Sequence, residues 1–230
     1  MRTRAFLVLL LLSLSWGPAA AGDVATFQNL GFSADARYFM FAQYGVQENS
    51  SYPYADLFVV QVASNQFTQG GVRSGLYKIP IEPGNDGRGA LFNLLAEAPA
   101  LKSTYGVDHT RVGRLLYILL DGAEPQEELQ FRDFESGKSY HIRLNQSSQG
   151  SGEQIKASFY LVVTVQQRSG DVDTFTVGLP NYWRPGVRRY RIKQVLLAPD
   201  DRSLVFVVGK EEQNGNGFNL RYMVETLRPS

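Results

Sequence analysis

The sequence predicts a mainly β protein made of antiparallel meander sheets with one short inserted helix. Three observations carry this. Apolar, β-branched and aromatic runs of strand length recur, as in residues 57–62, 159–165 and 204–208, with Gly, Asn, Asp, Ser or Pro between them. Helical spacing is clearest in residues 90–97, through Leu91, Leu94 and Leu95. The segment Phe32-Ser33-Ala34-Asp35-Ala36-Arg37-Tyr38-Phe39-Met40-Phe41 returns as Leu197-Ala198-Pro199-Asp200-Asp201-Arg202-Ser203-Leu204-Val205-Phe206. Each copy reads as two strands joined by a tight turn. Asp35 and Asp200 are expected to accept hydrogen bonds from backbone N–H groups two residues on, with Pro199 fixing φ in the second copy.

In chain order, residues 1–21 read as an export signal. Arg2 and Arg4 give a positive start, residues 5–16 are apolar, and Ala19-Ala20-Ala21 offers small residues for cleavage near Ala21. That run falls short of the roughly 20 residues needed to span a bilayer, and no later stretch does better. The mature chain, residues 22–230, is therefore expected to be exported, to the periplasm or outside the cell, as one domain with no transmembrane segment. Residues 24–32 and 38–44 form the first hairpin, residues 45–55 a polar loop, and residues 57–62 a strand that turns at Ser64-Asn65. Residues 84–89 make a Gly-rich turn before the helix, and Pro99 breaks it, with a further turn at residues 101–104. Residues 112–120 are apolar on both faces and read as a buried strand. Residues 146–152, rich in Ser, Gly and Gln, read as a flexible loop. Residues 157–165 and 173–179 pair across Ser169-Gly170-Asp171, and residues 190–198 lead into the second copy, for a total of roughly ten to twelve strands.

Residues 32–41 and 56–62 resemble a TolB-type β-propeller repeat, in which a small-residue/Asp turn precedes an apolar strand and an Asp-Leu-aromatic strand follows a polar loop. The second copy is followed by Leu220-Arg221-Tyr222-Met223-Val224, and residues 128–138 resemble the outer hairpin of such a blade, with Ser136-Gly137 in the turn. The resemblance implies propeller-like sheets near residues 27–70 and 190–228. At about 40–45 residues per blade the mature chain holds at most about five, so the propeller would be small or incomplete. Ala36 and Asp201 stand where that pattern has a turn Gly. The chain, chiefly through residues 29–62, also resembles a family of bacterial predicted secreted proteins of unknown function, which brings no activity with it.

Composition narrows the function classes. Without residues 1–21 the chain keeps 21 basic and 22 acidic residues, which gives no field for gathering nucleic acid. The chain has no cysteine, which removes thiol catalysis and thiolate metal sites. Its two histidines, His109 and His141, are far apart, so no metal site and no cofactor is expected. No Gly-x-Ser-x-Gly turn is present to display a nucleophile.

The strongest candidate surface is residues 181–191, with Tyr182, Trp183, Arg184, Arg188, Arg189 and Tyr190 around Pro185-Gly186. Arg, Trp and Tyr supply large contact area at modest entropy cost, and Arg pairs bidentately with carboxylate or phosphate. Tyr52 and Tyr54, flanking Pro53, are a second candidate, able to stack on a ligand or to cover a sheet. The reading that follows is an exported module that binds a protein or glycan of the envelope or extracellular space, with catalysis not expected. The alternative is a glycoside hydrolase of envelope glycans, which needs two carboxyl groups facing each other across a cleft.

Overall fold

The computed structural model describes residues 22–215 and 217–229, so the expected export signal, residues 1–21, lies outside the described residues. Three antiparallel sheets account for nearly all regular structure. The first runs β1 (Thr26–Ser33), β2 (Tyr38–Val46), β3 (Pro53–Gln61) and β4 (Gln66–Leu76). Its edge is extended by β5 (Val107–Asp108) beside β1. Between β4 and β5 lie two helices, α1 (Arg88–Glu97) and α2 (Pro99–Thr104). Next comes β6 (Arg114–Ile118). The second sheet is a meander of β7 (Glu128–Arg132), β8 (Ser139–Gln149), β9 (Lys156–Gln166) and β10 (Val172–Gly178), with β11 (Arg184–Pro185) beside β9. The third sheet takes β12 (Val187–Leu197), β13 (Leu204–Asn214) and β14 (Gly217–Leu227), and β6 joins it beside β12.

Alternation along β13 shows how the sheets stack. Leu204, Phe206 and Val208 share a core with Ile142, Phe159 and Leu161 of the second sheet. Val205 and Val207 share another with Phe32, Phe39 and Phe41 of the first. A strand with period-two side chains and two buried faces must be apolar throughout, and residues 204–208 are. The third sheet is thus the central layer. The far face of the first sheet, through Met40, Leu57 and Val59, is covered by Leu91 and Leu94 of α1 and by Leu101 of α2.

The repeated segments are equivalent hairpins. Arg37 N donates to Asp35 Oδ1 and Arg202 N to Asp200 Oδ1, each at 3.1 Å. Ala36 (φ 54°) and Asp201 (φ 52°) occupy the left-handed region at the same place in each turn. Phe41 and Phe206 are both fully buried, each between the central sheet and a different neighbour.

Four expectations need correction. Residues 112–120 hold a short edge strand, not a doubly buried one: β6 has no neighbour on its far side, and Leu115 is 49 % exposed. Residues 146–149 continue β8 by pairing with residues 156–159 of β9, and Gln146 also acts as a peptide mimic toward β12, its Oε1 accepting from Tyr190 N (2.8 Å) and its Nε2 donating to Tyr190 O (3.2 Å). Among the described residues two α-helices replace one, since Pro99 opens α2 at a position where its missing N–H costs nothing. The described residues form fourteen strands instead of ten to twelve, two of them, β5 and β11, only two residues long. Among the described residues the sheets form no closed barrel or propeller.

Candidate functional site

A cavity of about 350 Å³ lies where all three sheets meet. It is lined by the β3–β4 turn (Ser64, Asn65), the end of β10 (Gly178, Leu179), Arg184 of β11, and Met223, Val224 and Glu225 of β14, with Phe67 of β4 at its apolar wall. Among the described residues Glu225 is the only carboxylate lining it. Strand register explains why that charge is buried. Glu225 pairs with Phe206 across β13–β14, so it points toward the second sheet from within an apolar row.

Two partners hold Glu225. Asn65 donates its amide to Glu225 Oε2, while Asn65 Oδ1 accepts from Thr226 N (2.8 Å). The turn of the first sheet is thereby bound to the third. Asn65 manages this in the left-handed region (φ 54°), which Asn tolerates better than most residues. Arg184 Nη2 stands 3.9 Å from Glu225 Oε1. Among the described residues Oε1 accepts no hydrogen bond. Opposite it lies Gly178 (φ 92°), where a Cβ would sit 3.5 Å from Oε1. Burial pushes the Glu225 carboxyl above the ordinary glutamate value, more than Asn65 and the distant Arg184 pull it down.

Arg184 is held by rings rather than acids. Its guanidinium carbon lies 4.8 Å from the centre of the Tyr182 ring, 5.4 Å from Phe159 and 5.9 Å from Tyr190. Its Nη1 is enclosed and has no hydrogen-bond partner. The cleft thus presents a guanidinium edge and a half-satisfied carboxylate beside Phe67, Leu179 and Met223. Such a surface can take a ligand with one polar and one apolar side.

The segment 181–191 is split by the fold. Tyr182 is exposed and covers Arg184; Trp183 is half-buried, with Lys156 Nζ 5.8 Å from its ring centre. Tyr190 lies behind Arg184 in the core between second and third sheets, where its hydroxyl donates to Ala157 O at 3.3 Å. Arg188 and Arg189 leave the cleft altogether and bind Glu211. Tyr54 is buried under Arg221, 4.8 Å from its ring centre, and burial raises its hydroxyl pKa. Tyr52 is half-buried in the β2–β3 loop and lines no part of the cleft. Glu225, Asn65 and Gly178 escaped the sequence reading. The available signal was a glutamate inside the strand Tyr222-Met223-Val224-Glu225-Thr226, where a charge needs a partner.

Other polar clusters are accounted for locally. Asp133, buried in the β7–β8 turn, is held far below the carboxylate range by the Arg114 guanidinium and the Ser136 hydroxyl. His109 Nδ1 lies 2.6 Å from Leu30 O, and His141 Nε2 is 2.5 Å from Glu128. Among the described residues no group of three His, Asp or Glu is placed to hold a metal ion. No helix among them is long and apolar enough to cross a membrane.

The family model described as "Predicted secreted protein (DUF2259)" matches residues 40–228, which takes in the helices, most of the first sheet and all of the other two. The chain belongs to this family. The secreted-protein family match covers every residue of the cleft. No curated protein matches the chain.

Proposed function

We propose that this member of the secreted family is an exported binding module of the cell envelope or extracellular space, whose ligand sits in the cleft between the three sheets. The supporting observation is Glu225. A buried carboxylate with one oxygen unbonded, facing a glycine and an arginine fixed by aromatic rings, is costly to the fold and suited to accepting a donor from outside. A glycan hydroxyl or a peptide N–H would satisfy Glu225, and a sugar face or apolar side chain would cover Phe67 and Leu179. With one carboxylate in the cavity, the pair that glycoside hydrolysis requires has no counterpart there, so binding is favoured over hydrolysis. The three meanders are read in the same proposal as blade-like repeats, which would place the cleft at the junction of neighbouring blades.

The test is affinity capture by immobilised residues 22–230 from an envelope extract of the source cells. The comparison is with Arg184→Gln and Phe67→Ser. A ligand retained by the wild type should bind each variant about tenfold more weakly. A ligand that both variants hold equally well would place its site elsewhere.

A further inference from the structure

On the opposite face of the third sheet from Glu225, Arg188, Arg189 and Arg191 of β12 converge on one carboxylate, Glu211 of β13. Register fixes the side: Glu211 pairs with Leu220, whose side chain packs toward the first sheet. Arg189 Nη2 and Arg191 Nη2 donate to Glu211 Oε1 at 2.8 and 2.5 Å. Arg188 donates Nε and Nη2 to Oε2 at 3.1 and 2.5 Å. Glu211 is buried, and both of its oxygens are saturated.

The charge does not balance. Three guanidiniums against one carboxylate leave an excess of two positive charges. The neighbouring cations do not share this excess, because each has its own acid. Lys193 pairs with Asp121 (2.8 Å) and Lys210 with Glu212 (2.5 Å). Each guanidinium also carries more donors than Glu211 accepts. Arg191 Nε is enclosed with no hydrogen-bond partner. A cavity of about 440 Å³ opens at this point; its charged lining is Arg188, Arg191, Lys193, Glu211 and Asp121, with Phe218 beside them, and Arg189 stands outside it. Arg188 is braced there, its guanidinium carbon 4.0 Å from the centre of the Phe218 ring.

We propose that this arginine cluster is a receptor for a doubly charged oxyanion, a phosphate or sulfate group. Glu211 serves as the internal template that holds the three guanidiniums together against their mutual repulsion; Arg188 and Arg191 face the cavity, where Glu211 and the Lys193–Asp121 pair leave one net positive charge, and Arg189, bound to the same carboxylate outside the lining, adds the second. Planar guanidinium forks match the oxygens of such a group, whereas an isolated carboxylate would neutralise half of the excess. The site is separate from the Glu225 cleft, and it stands or falls independently of the ligand proposed there.

The experiment is calorimetric titration of residues 22–230 with sodium phosphate and with sodium sulfate at constant ionic strength. A parallel arm measures co-sedimentation with phosphatidylcholine vesicles with and without phosphatidic acid, which separates a free oxyanion from a lipid headgroup. Saturable binding in either arm is expected, weakened about tenfold or more in the Arg188→Ala/Arg189→Ala double variant and less in the corresponding Lys pair, which keeps charge without the fork. Should the double variant not fold, Arg188→Ala alone, at a half-exposed position that lines the cavity, carries the same comparison. No saturable binding in either arm, or affinity unchanged in the folded Ala variants, would overturn the proposal.

Discussion

Glu211 and Glu225 sit on adjacent strands of one sheet, both buried, and their surroundings make them opposites. For Glu211, burial alone would raise the carboxyl pKa, but Arg189, Arg188 and Arg191 bring it below the ordinary glutamate value. For Glu225, burial prevails, because its only close partner is the Asn65 amide and Arg184 remains at 3.9 Å. Burial by itself therefore does not determine what a buried acid contributes. The number of donors that reach it does. Glu211 holds β12 and β13 together, whereas Glu225 is a cost that the surrounding sheets carry.

The largest effect expected from disturbing this pair is at Glu211. Glu211→Gln leaves three guanidiniums without their anion and should cost about 2–3 kcal/mol in chemical denaturation. That is toward the low side for a broken buried pair, because Arg188 and Arg189 are half-exposed. Next is Asn65→Ala, expected to cost about 1–2 kcal/mol, since it unpairs both Thr226 N and Glu225 in one step. The smallest effect has the opposite sign. Glu225→Gln keeps the shape and removes a poorly paired charge, so stability at neutral pH should rise by about 1 kcal/mol or less. A loss of stability there would mean that Arg184 pairs with Glu225 far better than the geometry shows.

The pH dependence sharpens the contrast. The lowered group, Glu211, contributes stability that is fully present above the ordinary glutamate value of 4.5 and is lost as pH falls through its lower folded value. The raised group, Glu225, works in reverse. The native state binds its proton more tightly, so stability is greatest below 4.5 and declines as pH rises through the higher folded value. Thermal midpoints against pH should show Glu211→Gln abolishing part of the acid-side loss, and Glu225→Gln abolishing part of the decline above 4.5. Parallel profiles for the two variants would remove the distinction between the two sites.

How much of this was legible depends on range. The turns at Asp35 and Asp200 are local: the side chain bonds its own backbone two residues on, so the repeat could be read directly. Phe41 and Phe206 were legible as core because the segments around them, residues 38–42 and 204–208, are apolar. Leu91 and Leu94 marked α1 through spacing alone. The cleft was not legible, since it depends on which face Glu225 takes and on what the β3–β4 turn, 160 residues away, brings to it. The arginine-rich segment was found, but one string of residues gave two destinations. Alternation, two bulges in β12 and the separate strand β11 bring Arg184 and Tyr190 together on one side of the third sheet and send Arg188 to the other.

The position of the third sheet has a consequence for how the molecule comes into being. The layer that both outer sheets lean on is assembled chiefly from the last residues of the chain, and even Asp23 and Ala25 at the start are tied to Asn219 and Leu220 of the final strand. A polypeptide emerging from its N-terminus would have to wait, with both neighbouring faces uncovered, until β14 arrives. The three layers would then close together rather than one after another.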